Sequence, residues 1–270
     1  MKSLKSIFHF ILSVVFLSFS ISSCSSDDND TPTTEITQGE DQDADDDVTD
    51  ETSYDITPVL SLFDGTDLSY EVSGGNVIFT TTDLPNHKSP YWDTSHELYE
   101  AYNGDNSSFN LNPNRISEQN IVFTIPLAPS AASTNEETGL GPIGISRNGI
   151  VFFNQYAGPN NQPLTSEINS FDQYLGHPQN AGTYHYHIEP TFLTGEYGAD
   201  AFLGLLSDGF PVYGPMENGA EITNADLDDF HGHTSATTEF PDGIYHYHIT
   251  DADPYLNGNG YYGTPGNVSM

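Results

Sequence analysis

The chain has 270 residues, and its 39 acidic residues outnumber its 5 basic residues, so its formal net charge is −34. This composition excludes nucleic-acid binding, which requires a basic surface. The single cysteine, Cys24, excludes an intramolecular disulfide and any zinc site built from cysteines. A bound metal would therefore need imidazole and carboxylate ligands.

Residues 1–23 have the features of a lipoprotein signal peptide. Two lysines precede an apolar run from Ile7 to Phe19, which is too short for a membrane-spanning helix. The following sequence Ile21-Ser22-Ser23-Cys24 resembles the lipobox at which bacterial lipoproteins are cleaved and lipidated. We therefore predict lipidation at Cys24; the alternative is an ordinary secreted protein with a free thiol.

Residues 24–55 predict an acidic, disordered tether. Ser, Thr, Asp, Glu and Gln dominate this segment, and repulsion between like charges keeps such a segment extended. Calcium binding by Asp45-Asp46-Asp47 is a minor alternative. The residues after Cys24 also resemble the Ser-plus-acid export signal of bacterial surface lipoproteins. We expect a surface-exposed outer-membrane lipoprotein, with the periplasmic face of the membrane as the alternative.

Residues 56–270 predict a mainly β fold, a single β-rich domain with a few short helices. Runs of β-branched and aromatic residues alternate with Gly, Asn and Asp turn signals. The predicted strands include Asn76–Thr81, Asn120–Ile125 and Gly149–Phe153. Helical periodicity is weak and brief. The predicted helices are Thr94–Ala101, Ser166–Leu175 and Asn224–Phe230.

Three signals occur twice, and in the same order, in the C-terminal half. Gly144-x3-Asn148-Gly149 recurs as Gly204-x3-Asp208-Gly209, Asp172-x3-Gly176-His177 recurs as Asp228-x3-Gly232-His233, and Tyr184-His185-Tyr186-His187 recurs as Tyr245-His246-Tyr247-His248. The offsets are 60, 56 and 61 residues. This pattern predicts an internal duplication of a unit of about 60 residues, packed about a pseudo-twofold axis. Its halves span about residues 143–190 and 203–250.

The repeated histidines are the candidates for a metal site. Alternate side chains of an extended strand share a face, so His185 and His187 point one way and their neighbouring tyrosines point the other. A third imidazole from a nearby segment would complete a three-histidine set. The predicted sets are His177, His185 and His187, and His233, His246 and His248, with His87 and His231 as additional candidates.

Three carboxylates are candidates for supporting roles. Asp172 and Asp228 lie five residues before His177 and His233 and could accept a hydrogen bond from a ligand imidazole, or cap a helix. Asp208 is a third candidate for the same supporting role. In a catalytic site, Asp208 or Glu189 could instead serve as a general base. The alternative for the histidines is a structural role within an aromatic strand.

These motifs together resemble the YHYH domain family. The resemblance rests on Gly182–Ile188, on Phe202–Pro215 and on Tyr245–Thr250. It covers roughly residues 85–263. Many relatives have a Gly-Cys where this chain has Asn257–Tyr261, so a thiol is absent there. The resemblance implies a secreted or anchored protein and leaves the chemistry open.

Sets of imidazoles without thiolates suit Cu(II), Zn(II) or Ni(II). The three methionines, Met1, Met216 and Met270, are too few and too scattered for a Met-rich Cu(I) site. We interpret the chain as a cell-surface lipoprotein whose paired Tyr-His-Tyr-His strands bind copper or zinc, for sequestration or delivery. The expected partners are the lipid anchor and the metal ion.

Two other function classes remain open. The first is a metal-dependent enzyme, either a hydrolase or an oxidase. The second is a carbohydrate-binding or adhesion module with structural histidines. In that module, aromatic residues expected to be exposed, such as Tyr91-Trp92 and Tyr261-Tyr262, would bind a surface glycan.

Overall fold

A computed structural model describes residues 53–270. The predicted signal peptide, the lipidation site Cys24 and nearly all of the predicted tether lie outside the described residues. Within residues 53–270, the chain forms a four-stranded sheet, an eight-stranded sheet and two two-stranded ribbons. No helix in this part has the length and apolar character needed to cross a membrane. The predicted mainly β fold with few helices is confirmed.

The strands and helices are short. In chain order the strands are β1 (Leu68–Ser73), β2 (Asn76–Thr81), β3 (Ile121–Pro126), β4 (Gly144–Ser146), β5 (Val151–Phe152), β6 (Tyr156–Ala157), β7 (Gln162–Pro163), β8 (Gly176–Pro178), β9 (Tyr184–Tyr186), β10 (Phe202–Leu206), β11 (Pro211–Tyr213), β12 (Met216–Glu217), β13 (Ala220–Glu221), β14 (Gly232–Ser235), β15 (Ile244–His248) and β16 (Asn267–Ser269). The α-helix is α1 (Thr191–Tyr197), and the 3-10 helices are Thr57–Leu62, Glu167–Ser170 and Asn224–Asp226.

The four-stranded sheet has the order β1-β2-β3-β16, and all its pairs are antiparallel. Val77, Phe79 and Thr81 of β2 are buried, while the residues between them are more exposed. This alternation is typical of a sheet with one face on the core. Both larger sheets contribute to one continuous hydrophobic core, which reaches from Val77 and Phe79 to Tyr245 and Tyr247.

The eight-stranded sheet has the order β14-β15-β11-β10-β4-β5-β9-β8. The central pair of the sheet is β10-β4. From β4 outward one half has the order β4, β5, β9 and β8, and from β10 outward the other has the order β10, β11, β15 and β14. In each half, two strands joined by a short turn are followed by the Tyr-His-Tyr-His strand and then by the Gly-His strand at the edge. In both halves the pair between the second and third strands is parallel, whereas the others are antiparallel. The two halves therefore have the order expected of a pseudo-twofold arrangement; the internal duplication itself stays a prediction.

Glycines allow the central strands of this sheet to approach closely. A Cβ atom on Gly204 would lie 2.2 Å from the carbonyl oxygen of Ile145, and one on Gly144 would lie 2.5 Å from that of Leu205. Gly144 and Gly204 are the first glycines of the repeated Gly-x3-Asn/Asp-Gly signal. The signal therefore marks the contact between the halves of the sheet.

The predicted helices are largely wrong. Thr94–Ala101 contains turns and no helix, while Ser166–Leu175 and Asn224–Phe230 each contain only a 3-10 helix. Segments this short do not hold an α-helix without packing on one face. The α1 helix was not predicted, and the buried Leu193 packs it on the core.

The aromatic residues expected to be exposed are mostly buried. Tyr91 is fully buried, while Trp92 and Tyr261 are each 7% exposed, and all three belong to the core. The Tyr91 hydroxyl donates to the carbonyl of Ser170, and the Trp92 Nε1 donates to that of His87. These residues therefore do not form the glycan-binding groove suggested by the sequence.

Candidate metal centres

The first histidine group forms where β8 and β9 pair. His177 lies directly opposite His185 in the antiparallel register, and His187 follows two residues later on the same face. The 3-10 helix Glu167–Ser170 brings a carboxylate to them, with Glu167 Oε1 3.3 Å from His177 Nε2. One ligand atom from each of these four residues lies within 4.8 Å of all the others.

The second histidine group forms in the same way where β14 and β15 pair. His233 lies opposite His246, and His248 follows on the same face. Glu217 of β12 supplies the carboxylate, and its Oε1 lies 3.5 Å from the Nε2 atoms of both His233 and His246. These four residues meet the same 4.8 Å limit. The structure thus brings both predicted histidine sets together, as two separate groups at opposite ends of the sheet.

Backbone carbonyls determine which nitrogen of each strand histidine carries the proton. His185 Nδ1 donates to the carbonyl of Thr183 at 3.1 Å, and His187 Nδ1 donates to that of Asn154 at 2.5 Å. In the second group, His246 Nδ1 donates to Ile244 at 2.9 Å and His248 Nδ1 to Gly214 at 2.7 Å. Since a carbonyl only accepts, each neutral ring has its lone pair on Nε2.

These bare Nε2 atoms face each other within each group. His185 Nε2 lies 3.0 Å from His187 Nε2, and His246 Nε2 lies 3.1 Å from His248 Nε2. Two lone pairs at this distance repel unless a proton or another cation lies between them. Each pair of rings is therefore arranged to receive a cation.

The third histidine of each group also has an Nε2 atom without a hydrogen-bond partner within residues 53–270. The Ser170 hydroxyl donates to the Glu167 carbonyl, so its oxygen accepts a hydrogen bond from His177 Nδ1 at 2.8 Å. His177 Nε2 and His233 Nε2 are buried and have no hydrogen-bond partner among the described residues. Their contacts with Glu167 and Glu217 are close but do not have hydrogen-bond geometry. Buried polar atoms without partners are rare and call for an explanation.

Burial keeps the strand imidazoles neutral. It lowers the pKa of His187 and of His246 to about 4, and it also lowers the pKa values of His185 and His248, with neighbouring histidines adding to the effect. Burial raises the pKa of Glu167, but contact with His177 outweighs it and holds that pKa below its usual range. A proton is therefore a poor occupant of these groups at neutral pH.

The two groups differ in their access to solvent. The first lines a cavity of about 800 Å³, where Phe153 stacks on His185 with ring centroids 3.9 Å apart. The second lines a cavity of about 340 Å³, into which Tyr213 also points. His233 is the most exposed histidine of the six, with 23% of its side chain accessible, while the others are almost fully buried.

The three candidate aspartates contact tyrosines instead of imidazoles. Asp172 accepts from Tyr184, Asp228 from Tyr245 and Asp208 from Tyr247, at 2.8, 2.9 and 2.6 Å. The tyrosines point away from the histidines because alternate strand residues face opposite sides. The expectation that Asp172 and Asp228 orient imidazoles is therefore wrong, and these carboxylates instead fix the tyrosine face of β9 and β15. Asp172 and Asp228 also accept backbone N–H groups in their own turns, as a capping residue would.

The additional histidine candidates lie outside both groups. His87 accepts a hydrogen bond from the Tyr186 hydroxyl at 3.0 Å, on the tyrosine side of β9. His231 donates from Nδ1 to the His248 carbonyl, and its Nε2 accepts from Thr250 or contacts Asn224. Both rings have partners and both are structural.

Sequence reasoning missed Glu167 and Glu217. They come from different kinds of element, a 3-10 helix and a two-residue strand, and they lie 10 and 16 residues before their Gly-His histidine. No repeated spacing therefore links them. The only available signal was a Glu upstream of each Gly-His, which is too common to be informative.

Comparison with known proteins identifies the family. The family model described as YHYH protein matches residues 122–225 and 216–260, which include all six histidines of the two groups. No curated protein and no solved structure matches the chain. Because the family model covers just over half of the 270 residues, the chain belongs to the YHYH protein family.

Proposed function

We propose that the chain binds one transition-metal ion at each of its two histidine groups. The observation that carries this proposal is the facing pair of Nε2 lone pairs in each group, at 3.0 and 3.1 Å. Ligand nitrogens lie about 2.0–2.1 Å from a zinc ion, so two nitrogens at this separation can bind the same ion. A cation relieves the repulsion that the neutral rings would otherwise suffer.

The remaining atoms of each group support the same assignment. The Nε2 atoms of His177 and His233, buried without hydrogen-bond partners, would gain a ligand bond. Glu167 and Glu217 would neutralise part of the charge of the ion. Three imidazoles and one carboxylate suit copper or zinc.

We further propose that this binding serves metal sequestration or delivery at the cell surface. The lipobox-like sequence at Cys24 supports a lipid anchor, and the acidic segment after it supports a tether. The net charge of −34 favours the approach of cations. Copper and zinc both remain in this proposal.

The positions of other carboxylates favour binding over hydrolysis. Asp208 is fully buried against Tyr247, and Glu189 accepts a hydrogen bond from Thr194. Neither candidate general base belongs to a histidine group. The carboxylates that do belong, Glu167 and Glu217, lie where a ligand would.

Metal analysis of paired variants tests the proposal. Purified full-length chain, loaded with copper or zinc and desalted, should contain two ions per chain by mass spectrometry. The double variant His185→Ala/His187→Ala should retain one ion, and so should His246→Ala/His248→Ala. Combining all four changes should leave none.

His87→Ala is the matched control, because His87 is equally buried and hydrogen-bonded but lies outside both groups. It should lower the melting temperature and leave two ions bound. If the wild-type chain binds no ion while the double variants lose stability as His87→Ala does, the histidines are structural and the proposal is wrong.

A further inference from the structure

The cavity over the first histidine group extends well beyond the histidines. Its volume of about 800 Å³ is in the range of small-molecule pockets. Its walls come from five further segments of the chain, near Asn112, Leu140, Tyr156, Gln179 and Met270. Binding an ion needs none of these walls, so they are available for a second ligand.

The polar part of this lining includes side-chain amides that are held in place by hydrogen bonds from their nitrogens. Asn114 Nδ2 donates to the carbonyl of Pro178 at 3.1 Å, and Gln179 Nε2 donates to Thr183 Oγ1 at 3.2 Å. Among the described residues, no hydrogen bond uses Asn114 Oδ1 or Gln179 Oε1. These amides are thus held with their acceptor oxygens free, and a ligand hydroxyl can donate to them.

The charges around the cavity favour a neutral ligand. Among the described residues, its lining contains no Lys, Arg or Asp, and its one carboxylate side chain, Glu167, is in contact with His177. Apart from an ion bound at the histidine group, an anion would find no cationic partner and would be repelled by the net charge of −34. A cationic ligand would compete for Glu167 with the histidine group.

Part of the cavity lining is apolar and accessible. Leu140 is 51% exposed and is one of the few large hydrophobic side chains that reach solvent. Tyr156 is half-buried, and Pro142 and Pro159 lie beside them in the lining. A lining that combines apolar side chains with free acceptor oxygens suits a ligand with both hydroxyl groups and C–H faces.

We infer that this cavity binds a neutral carbohydrate, with its hydroxyl groups donating to Asn114 and Gln179 and its ring packing on Tyr156 and Leu140. The site is distinct from the aromatic residues that the sequence first suggested for a glycan, since those are buried. It also does not depend on the proposed metal, because Asn114, Gln179, Tyr156 and Leu140 belong to neither histidine group.

Isothermal titration calorimetry on the full-length chain tests this inference. The probes are three neutral trisaccharides, cellotriose, maltotriose and mannotriose, with trigalacturonate as the anionic probe and Gly-Ser-Gly as the peptide probe. Each titration is run with and without EDTA. At least one neutral trisaccharide should bind in both conditions, and trigalacturonate and the peptide should not. The EDTA arm separates this result from any failure of the metal proposal.

Two variants and one matched control locate the site. Gln179→Ala and Tyr156→Ala should each weaken trisaccharide binding by about tenfold or more, which is typical of losing one well-placed contact. Thr238→Ala, in the smaller cavity over the second group, should have no effect. Each variant must keep the wild-type circular dichroism spectrum.

Three outcomes would overturn the inference. The first is that none of the trisaccharides binds to the folded chain. The second is that trigalacturonate or Gly-Ser-Gly binds as tightly as the best neutral sugar. The third is that Thr238→Ala weakens binding as much as Gln179→Ala does.

Discussion

Backbone hydrogen bonds control the chemistry of the strand histidines. Thr183, Asn154, Ile244 and Gly214 accept the Nδ1 protons through their carbonyl oxygens. No side chain is needed to select the protonated nitrogen, unlike in sites where a carboxylate does so. Side-chain substitutions around these four histidines can therefore alter access and charge without changing which of their nitrogens is free to bind.

Metal retention should persist into moderately acidic solution. An ordinary imidazole takes up a proton near pH 6.5, but burial lowers the pKa of His187 and His246 to about 4. Because a ligand imidazole must be unprotonated, a lower pKa means weaker competition from protons at a given pH. Bound metal, measured after dialysis, should stay constant from about pH 7 to about pH 5 and then fall.

A free histidine-containing peptide with the sequence of residues 182–189 is the control for this measurement. Its exposed imidazoles should lose metal near their ordinary pKa. Half-release from the folded chain near pH 6.5 would contradict the prediction and would mean that burial does not protect the groups.

The histidines of the two groups were predictable from local sequence, but their carboxylate partners were not. Strand alternation alone places His185 and His187 on one face. Glu167 and Glu217 reach the groups only through the tertiary fold, from elements that share no spacing. The aspartates were placed on the wrong partners, although the same alternation implied that the tyrosines needed acceptors on the opposite face.

At the level of elements, each Tyr-His-Tyr-His strand separates a polar binding face from a core face. On the core face of β15, Tyr247 donates to Asp208, and Tyr262 stacks on Tyr245 with ring centroids 3.5 Å apart. Buried charge-assisted hydrogen bonds of this kind are among the strong ones. The tyrosines thus anchor the strand that presents the histidines.

Gly204→Ala should strongly destabilise the domain. Its added Cβ would lie 2.2 Å from the carbonyl oxygen of Ile145 in the pair that joins the halves of the sheet. Backbone has to move to relieve this contact, so we expect a loss of at least about 3 kcal/mol in the free energy of unfolding. Urea unfolding of the variant measures it.

Gly195→Ala is the matched control for Gly204→Ala. Gly195 lies in α1, and an added Cβ would meet no atom within 4 Å. Alanine in a helix interior is favoured over glycine by about 0.5–1 kcal/mol, so this variant should be unchanged or slightly stabilised. Equal losses in both variants would show that the central contact is not special.

The elements were predictable to different degrees, for physical reasons. The predicted strand Asn76–Thr81 coincides with β2, because its alternation reflects one buried face. The α1 helix contains two threonines and a glycine, which have low helix propensity, and it is held by tertiary packing of Leu193. Local sequence patterns were therefore enough to predict this strand, whereas the helix depends on long-range packing that the local sequence does not reveal.

At the level of the whole molecule, the two groups lie at opposite ends of one sheet. Each uses its own histidines and its own glutamate, and no residue belongs to both. Their loading should therefore be independent, apart from the acidic field that both share.

Cys24→Ala should release the chain from membranes. Lipidation requires the thiol of Cys24, the single cysteine, and without it nothing in the lipobox prediction holds the chain at a membrane. Cell fractionation with immunoblotting should find the wild-type chain with membranes and the variant in the soluble fraction. Thr34→Ser, which lies in the predicted tether and outside the lipobox, is the comparison variant; a membrane-bound Cys24→Ala chain would contradict the lipoprotein prediction.

The alternation of histidine and tyrosine along β9 and β15 also limits how this sequence can evolve. Deleting one residue within Tyr184–His187 would turn every later side chain of the strand to the opposite face. A tyrosine would then enter the ligand set and an imidazole would enter the core opposite Asp172. Homologues that keep this strand arrangement can exchange single residues or lengthen the loops. Insertions and deletions inside these two short strands should be eliminated by selection.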